Sequence, residues 1–226
     1  MNSRKLVGMF FKTLTIGGLA GLIISFFVKA GEYAKVLSPF DALEFLGLLV
    51  FFVGLGLVFA VVSQTGFFAY LFINRLGLSV FRSFWPTVQI LLIAFVVFDL
   101  VYFPYQAAEG EIPLYLFILM SAAILVYGWI IAKIKAKETN QRAFIPALFL
   151  MVVMTTIEWV PGLRTSGTDY AWLMIIPLLA CNTYQLLILH RLTRVDSEKQ
   201  SANKGKGSPA NKRNAAQHKK IKPSKI

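Results

Sequence analysis

An all-α polytopic membrane bundle with six spans is the fold class this sequence predicts, and three observations predict it. Apolar residues make up 57% of the 226-residue chain and charged residues 15%, against about 45–50% and about 25% in soluble domains. Six stretches stay apolar for the roughly 20 residues a helix needs to cross hydrocarbon, at 6–28, 43–63, 86–104, 113–132, 143–160 and 171–189. Basic residues collect in alternate connections. Placing Arg4, Lys5, Arg75, Arg82, Lys133, Lys135, Lys137, Arg142 and the lysine-rich C-terminal stretch in the cytoplasm leaves Lys29, Lys35 and Arg164 outside. An even number of spans with this bias puts both termini in the cytoplasm. The net charge of +12 is therefore a topology signal, and no nucleic-acid partner is expected, because no stacking platform accompanies the lysines.

The first span starts at Arg4-Lys5, and its apolar run exceeds the roughly 7–15 residues of a secretory signal core, so it is read as a span and not as a cleaved leader. Lys12 lies near enough to its start to snorkel to the cytoplasmic headgroups. Gly17, Gly21 and Ser25, four apart, line one face with little bulk and predict close packing of a neighbouring helix. The second apolar run continues to Ile73, longer than one crossing requires, and Ser63-Gln64-Thr65-Gly66 predicts a break. Residues 67–84 are then expected to lie along the interface, with Phe67, Phe68, Tyr70, Phe72 and Phe81 in the acyl boundary, or to re-enter the bilayer. Trp85 and Trp129 fall at cytoplasmic ends and Trp159 and Trp172 at external ends, where amphipathic rings prefer the headgroup level.

Asp99 stands five residues before Pro104 and Glu158 three before Pro161. If the helices end at those prolines, both carboxyls sit about 5–8 Å from the external ends, at 1.5 Å per residue. A carboxyl at that depth costs a few kcal/mol unless it faces protein or a wet cavity. One outer pocket is the expectation, with Asp99 and Glu158 joined by Arg164 and by the amides of Asn182 and Gln185, serving binding or sensing. The polar groups of the last span must find partners on other helices. From about residue 195 the composition turns to Lys, Asn, Ser, Gly and Gln, which predicts a disordered cytoplasmic tail over 195–226. Its Lys219, Lys220, Lys222 and Lys225 would rest on anionic lipid.

Catalytic equipment is thin. No HExxH motif occurs, Cys181 is the single cysteine, and the two histidines, His190 and His218, lie at or beyond the end of the last span. Neither a catalytic centre, a metal site nor a cofactor is expected. Gly54-Leu55-Gly56 sits inside a span, without the strand and helix that let a glycine loop hold phosphate.

Three stretches carry a family resemblance: Ser3 to Ile24 with its Phe10-Phe11-Lys12-Thr13-Leu14 and Gly17-Gly18-Leu19-Ala20-Gly21, then Phe98-Asp99-Leu100-Val101-Tyr102-Phe103-Pro104-Tyr105, then Ile157-Glu158-Trp159-Val160-Pro161. Over about residues 3–195 the chain resembles the KinB-signalling-pathway activation family, KbaA, of spore-forming Bacillus and relatives. The resemblance implies an integral membrane protein that the membrane sensor histidine kinase KinB requires to feed phosphate into the sporulation phosphorelay. It implies no catalytic residues and says nothing of the lysine-rich tail. The competing class, read from the residues alone, is a small-solute or proton-coupled carrier using Asp99 and Glu158.

Overall fold

The computed structural model describes residues 3–38, 40–107, 112–164 and 168–206; of Ser3, Ala107, Arg164, Thr168 and residues 192–206 it describes the helical backbone alone. The described residues form helices and no named strand, in the order α1 Ser3–Val28, α2 Ala30–Leu37, α3 Ala42–Val80, α4 Trp85–Ala107, α5 Leu114–Glu138, α6 Phe144–Phe149, α7 Thr155–Arg164 and α8 Thr168–Lys206. Six helical runs are long and apolar enough to cross a membrane: Arg4–Val28, Ala42–Val80, Arg82–Gln106, Leu114–Glu138, Gln141–Leu163 and Asp169–Arg191. They match the six expected spans one for one.

Small residues set the closest helix crossing. A side chain at Gly21 would meet the Gly56 Cα at 2.7 Å and the Phe52 carbonyl at 3.0 Å, and one at Gly17 would meet Ala60 at 2.5 Å and the Gly56 carbonyl at 2.8 Å. α1 and α3 thus touch backbone to backbone, the approach that small residues four apart permit. Ser25, one turn further on, is fully buried and its hydroxyl lies 2.8 Å from the Tyr33 hydroxyl, which seats the short α2 against the end of α1. Asp41 opens α3 by accepting from the Leu43 and Glu44 amides at 2.9 and 3.1 Å, an N-cap that satisfies two otherwise orphaned donors.

Three expectations about element boundaries need correction. First, the break expected at Ser63–Gly66 is absent: α3 runs unbroken through it to Val80. Ser63 and Gln64 find partners on other helices, as described below, and Thr65 donates to the Val61 carbonyl of its own helix at 3.0 Å, so the stretch has no reason to break the helix. The chain then reverses tightly through Arg82, the one described non-glycine residue in the left-handed region at φ 48°. Trp85 closes that turn, buried over Gly77 and donating its indole N–H to Asn74 Oδ1 at 2.8 Å. Second, neither proline ends its helix. Pro104 lies within α4 and Pro161 within α7, which puts Asp99 and Glu158 about 12 and 9 Å from the last helical residue. Third, α8 stays helical to Lys206, beyond the expected onset of disorder at 195. The four tail lysines from Lys219 to Lys225 lie outside the described residues.

Two of the four tryptophans are packing residues. Trp85 is 4% and Trp159 3% exposed, whereas Trp129 and Trp172 are 45% and 52% exposed, as headgroup-level rings would be. Trp159 donates to the Ala171 carbonyl at 2.8 Å and so fixes α7 to the start of α8.

The fifth membrane-length run is composite. Between α6 and α7, Leu150–Met154 form a π-helical turn in which all five residues are buried. A π turn carries an extra residue, and each residue turns a helix by about 100°, so the face that α7 presents is offset from that of α6. The turn packs in one apolar cluster with Phe67, Tyr70, Ile93, Ile131 and Leu186. A second cluster, Phe59, Leu100, Trp159, Met174 and Leu178, fills the bundle on the α7 and α8 side.

Candidate functional site: an interior polar network and a separate acidic cleft

Asn182 on α8 is the hub of the interior polar network. Fully buried, it donates through Nδ2 to Glu158 Oε2 at 2.8 Å and to Thr155 Oγ1 at 2.9 Å, and its Oδ1 accepts from Ser63 Oγ at 2.7 Å. Gln185, one turn further along α8, donates to Ser63 Oγ at 2.8 Å and to the Cys181 carbonyl at 3.3 Å. Residues from α3, α7 and α8 therefore meet in one network of side-chain hydrogen bonds. The first helix is tied in beside it, since Gln64 donates to the Phe10 carbonyl at 3.0 Å and Cys181 Sγ lies 3.5 Å from the Thr13 carbonyl.

Local sequence explains each placement. Thr155 and Glu158 are three apart and share a face of α7, and the π turn before them gives Thr155 the Leu150 carbonyl, five residues back, as an acceptor at 3.3 Å. Gly66 leaves room for the acid: a side chain there would run into Glu158 Oε1 and its carboxyl carbon. Glu158 Oε1 and Gln185 Oε1 are buried without a hydrogen-bond partner among the described residues.

Asp99 is elsewhere. It lines a cleft of about 570 Å³ between α4 and α7, walled by Val96, Leu100, Phe103 and Pro104 on one side and Thr156, Ile157, Val160 and Leu163 on the other. On α7, Glu158 is two residues from Thr156, about 200° round the helix, so it faces α3 and α8 while Thr156 faces α4. The single outer pocket expected from sequence is thus two places: Glu158, Asn182 and Gln185 come together in the interior, and Asp99 opens on the opposite side of α7. Arg164 ends α7, and its side chain lies outside what is described.

The ends of the bundle carry two further polar clusters. Lys29 bridges Glu32 at 3.2 Å and Asp169 at 3.1 Å, tying the start of α8 to the α1–α2 corner. These carboxylates, Asp169 foremost, hold the Lys29 ammonium above its usual range. At the other end Lys135 is buried and donates to the Leu186 carbonyl at 2.6 Å, with His190 Nδ1 at 3.0 Å; His190 Nε2 in turn lies 3.3 Å from Glu138, which also pairs with Arg191 at 2.9 Å. This cluster joins α5 to α8. Among the described residues no three His, Cys, Asp or Glu side chains gather as they would to hold a metal ion.

Sequence reasoning read Ser63, Gln64 and Gly66 as a helix break and overlooked Thr155 and Thr156. The signal that finds them is the same rule that singled out Asn182 and Gln185: polar groups inside an apolar run need a partner.

Residues 17–192 match the profile of a family described as KinB-signalling pathway activation in sporulation, KbaA. A Bacillus subtilis (strain 168) protein named "KinB-signaling pathway activation protein" is 41% identical over 193 residues, covering 84% of this chain and 97% of that protein. No solved structure matches the chain.

Proposed function

The chain belongs to the KinB-signalling pathway activation family, KbaA, and from that premise we propose that it is a multi-pass protein of the cell membrane that activates a KinB-like sensor histidine kinase feeding the sporulation phosphorelay. It does so without catalysis, by contacts between its helices and those of a membrane partner. A partner with no chemistry of its own can still activate a kinase, provided it binds one conformational state more tightly than the other. The observation that carries the proposal is the 41% identity running through 97% of the Bacillus subtilis relative's length. Two features support the membrane setting. Large apolar side chains such as Phe51, Phe72 and Leu91 are 61–65% exposed along the helices, a surface that suits lipid and would aggregate in water. The basic residues at alternate ends of the helices favour cytoplasmic termini, where the C-terminal lysines would meet anionic lipid.

A carrier would need Asp99 and Glu158 along one path, and their positions on opposite sides of α7 give that reading no support. The test is replacement. In Bacillus subtilis lacking its own relative, expression of this chain should return a sporulation reporter that depends on the kinase to near its normal level, and should do nothing in a strain that also lacks the kinase. Full membrane accumulation without any rescue would contradict the proposal.

A further inference from the structure

We propose that the cleft between α4 and α7 docks a transmembrane helix of a partner protein that presents a lysine or arginine side chain to Asp99. This rests on the membrane-integrated reading above and goes beyond it in assigning the surface and the chemistry of the partner. Four observations carry it. First, no hydrogen bond or ion pair among the described residues involves Asp99, although it is partly buried; a carboxylate facing lipid at that depth is costly until a cation meets it. Second, Thr156, on the opposite wall, is 7% exposed and its hydroxyl oxygen is buried without a hydrogen-bond partner among the described residues. A helical threonine ordinarily gives its hydroxyl to a carbonyl about one turn back, as Thr13 and Thr65 do here; Thr156 does not.

Third, the walls have helical spacing. Val96, Leu100 and Phe103 on α4, and Thr156, Val160 and Leu163 on α7, each follow the i, i+4, i+7 rows that form ridges. Two such ridges enclose a slot that accepts the ridge of a third helix, the helix-in-groove mode of recognition. Fourth, the apolar rim is uncovered, with Phe103 61% and Ile157 55% exposed. An unpaired carboxylate within such a slot suits a basic side chain, which brings several N–H donors and a positive charge. An acyl chain offers neither.

The experiment uses the full chain in phosphatidylcholine–phosphatidylglycerol vesicles, donor-labelled through Ser38→Cys. The probes are acceptor-labelled polyleucine peptides of about 23 residues, identical except for Lys, Leu or Glu at the depth of Asp99. The Lys peptide should associate about tenfold more tightly than the Leu peptide, and the Glu peptide more weakly than either. Asp99→Asn should reduce the Lys preference to about twofold or less, whereas Asp99→Glu should keep most of it and Glu44→Gln, at an exposed acid outside the cleft lining, all of it. Retention of the preference by the Asp99→Glu protein separates loss of charge from loss of fold.

Equal association of the Lys and Leu peptides, or a Lys preference untouched by Asp99→Asn, would overturn the inference. So would Asp99-dependent binding of dodecylamine by a protein indifferent to the peptides, which would make the ligand a small ammonium amphiphile. Carbonate extraction is scored first. Protein that washes off the vesicles overturns the membrane reading and this inference together, whereas retained protein that treats the Lys and Leu peptides alike overturns this inference alone.

Discussion

Replacing Gly56 by leucine should abolish accumulation of the folded protein. A side chain at Gly56 would run into the Gly17 carbonyl oxygen and lie 3.0 Å from the Gly18 Cα. Both are backbone atoms, so no rotamer change relieves the overlap, and α1 must move away from α3. Inserting even a methyl group into a close-packed contact costs about 1–3 kcal/mol, a large fraction of the roughly 5–15 kcal/mol by which a protein is stable. Gly56→Ala should therefore lower thermal stability in detergent measurably, and Gly56→Leu should leave no folded peak by size-exclusion chromatography. Gly54, two residues away, is the control, because a side chain there meets nothing within 4 Å. Gly54→Ala should change stability by no more than about 0.5 kcal/mol. Equal tolerance at both positions would show that α1 and α3 do not cross at these glycines.

The second large effect is expected at Asn182. Its leucine variant loses hydrogen bonds to Ser63, Thr155 and Glu158 at once and leaves the Glu158 carboxyl buried without a donor. Interhelical hydrogen bonds in membrane proteins are worth about 0.6–2 kcal/mol each, and stranding a buried acid adds to the loss. Asn182→Leu should thus cost about 2–5 kcal/mol. Removing the acid as well should recover part of that, so a double-mutant cycle of Asn182→Leu with Glu158→Leu should give a coupling of at least about 1 kcal/mol. Additive single effects, within about 0.3–0.5 kcal/mol, would mean that the two side chains do not meet. Asp99→Asn should not lower stability, since no described hydrogen bond or ion pair of Asp99 is lost and an uncompensated charge is removed. The two acids are thereby separated by readout: Glu158 moves stability, Asp99 moves partner association.

Much of the architecture was legible because lipid imposes simple rules. Length and hydropathy identified all six membrane-length helices, and the four-residue spacing of Gly17 and Gly21 identified the face of α1 that meets α3. What was not legible is azimuth. α4 is apolar on nearly every side around Asp99, and Thr155 and Thr156 put hydroxyls on two different faces of α7, so the pattern does not say which way either acid points. Counting from Pro104 and Pro161 gave depth alone, and a comparable depth suggested one shared pocket. The π turn at Leu150–Met154 then offsets α7, and no sequence signal marks it.

The break expected at Ser63–Gly66 came from treating polar residues and a glycine as punctuation. Their partners lie 119 and 122 residues away, Ser63 on Asn182 and Gln185 on Ser63, and Gly66 yields space to Glu158; local propensity cannot register either. The helix through residues 195–206 was missed for the opposite reason. Polar composition argued for disorder, but no glycine or proline stands between Pro177 and Gly205, so nothing in that stretch stops the helix begun at Thr168.

Everything functional here depends on six crossings of a bilayer with the α2 end outside and the α5–α6 turn inside. Labelling with a membrane-impermeant maleimide tests this directly, because Ser38 and Asn140 are exposed at opposite ends of the bundle and the native Cys181 is fully buried. In intact cells Ser38→Cys should react and Asn140→Cys should stay silent until the membrane is opened. Reaction of both in intact cells, or of neither until lysis, would contradict the account.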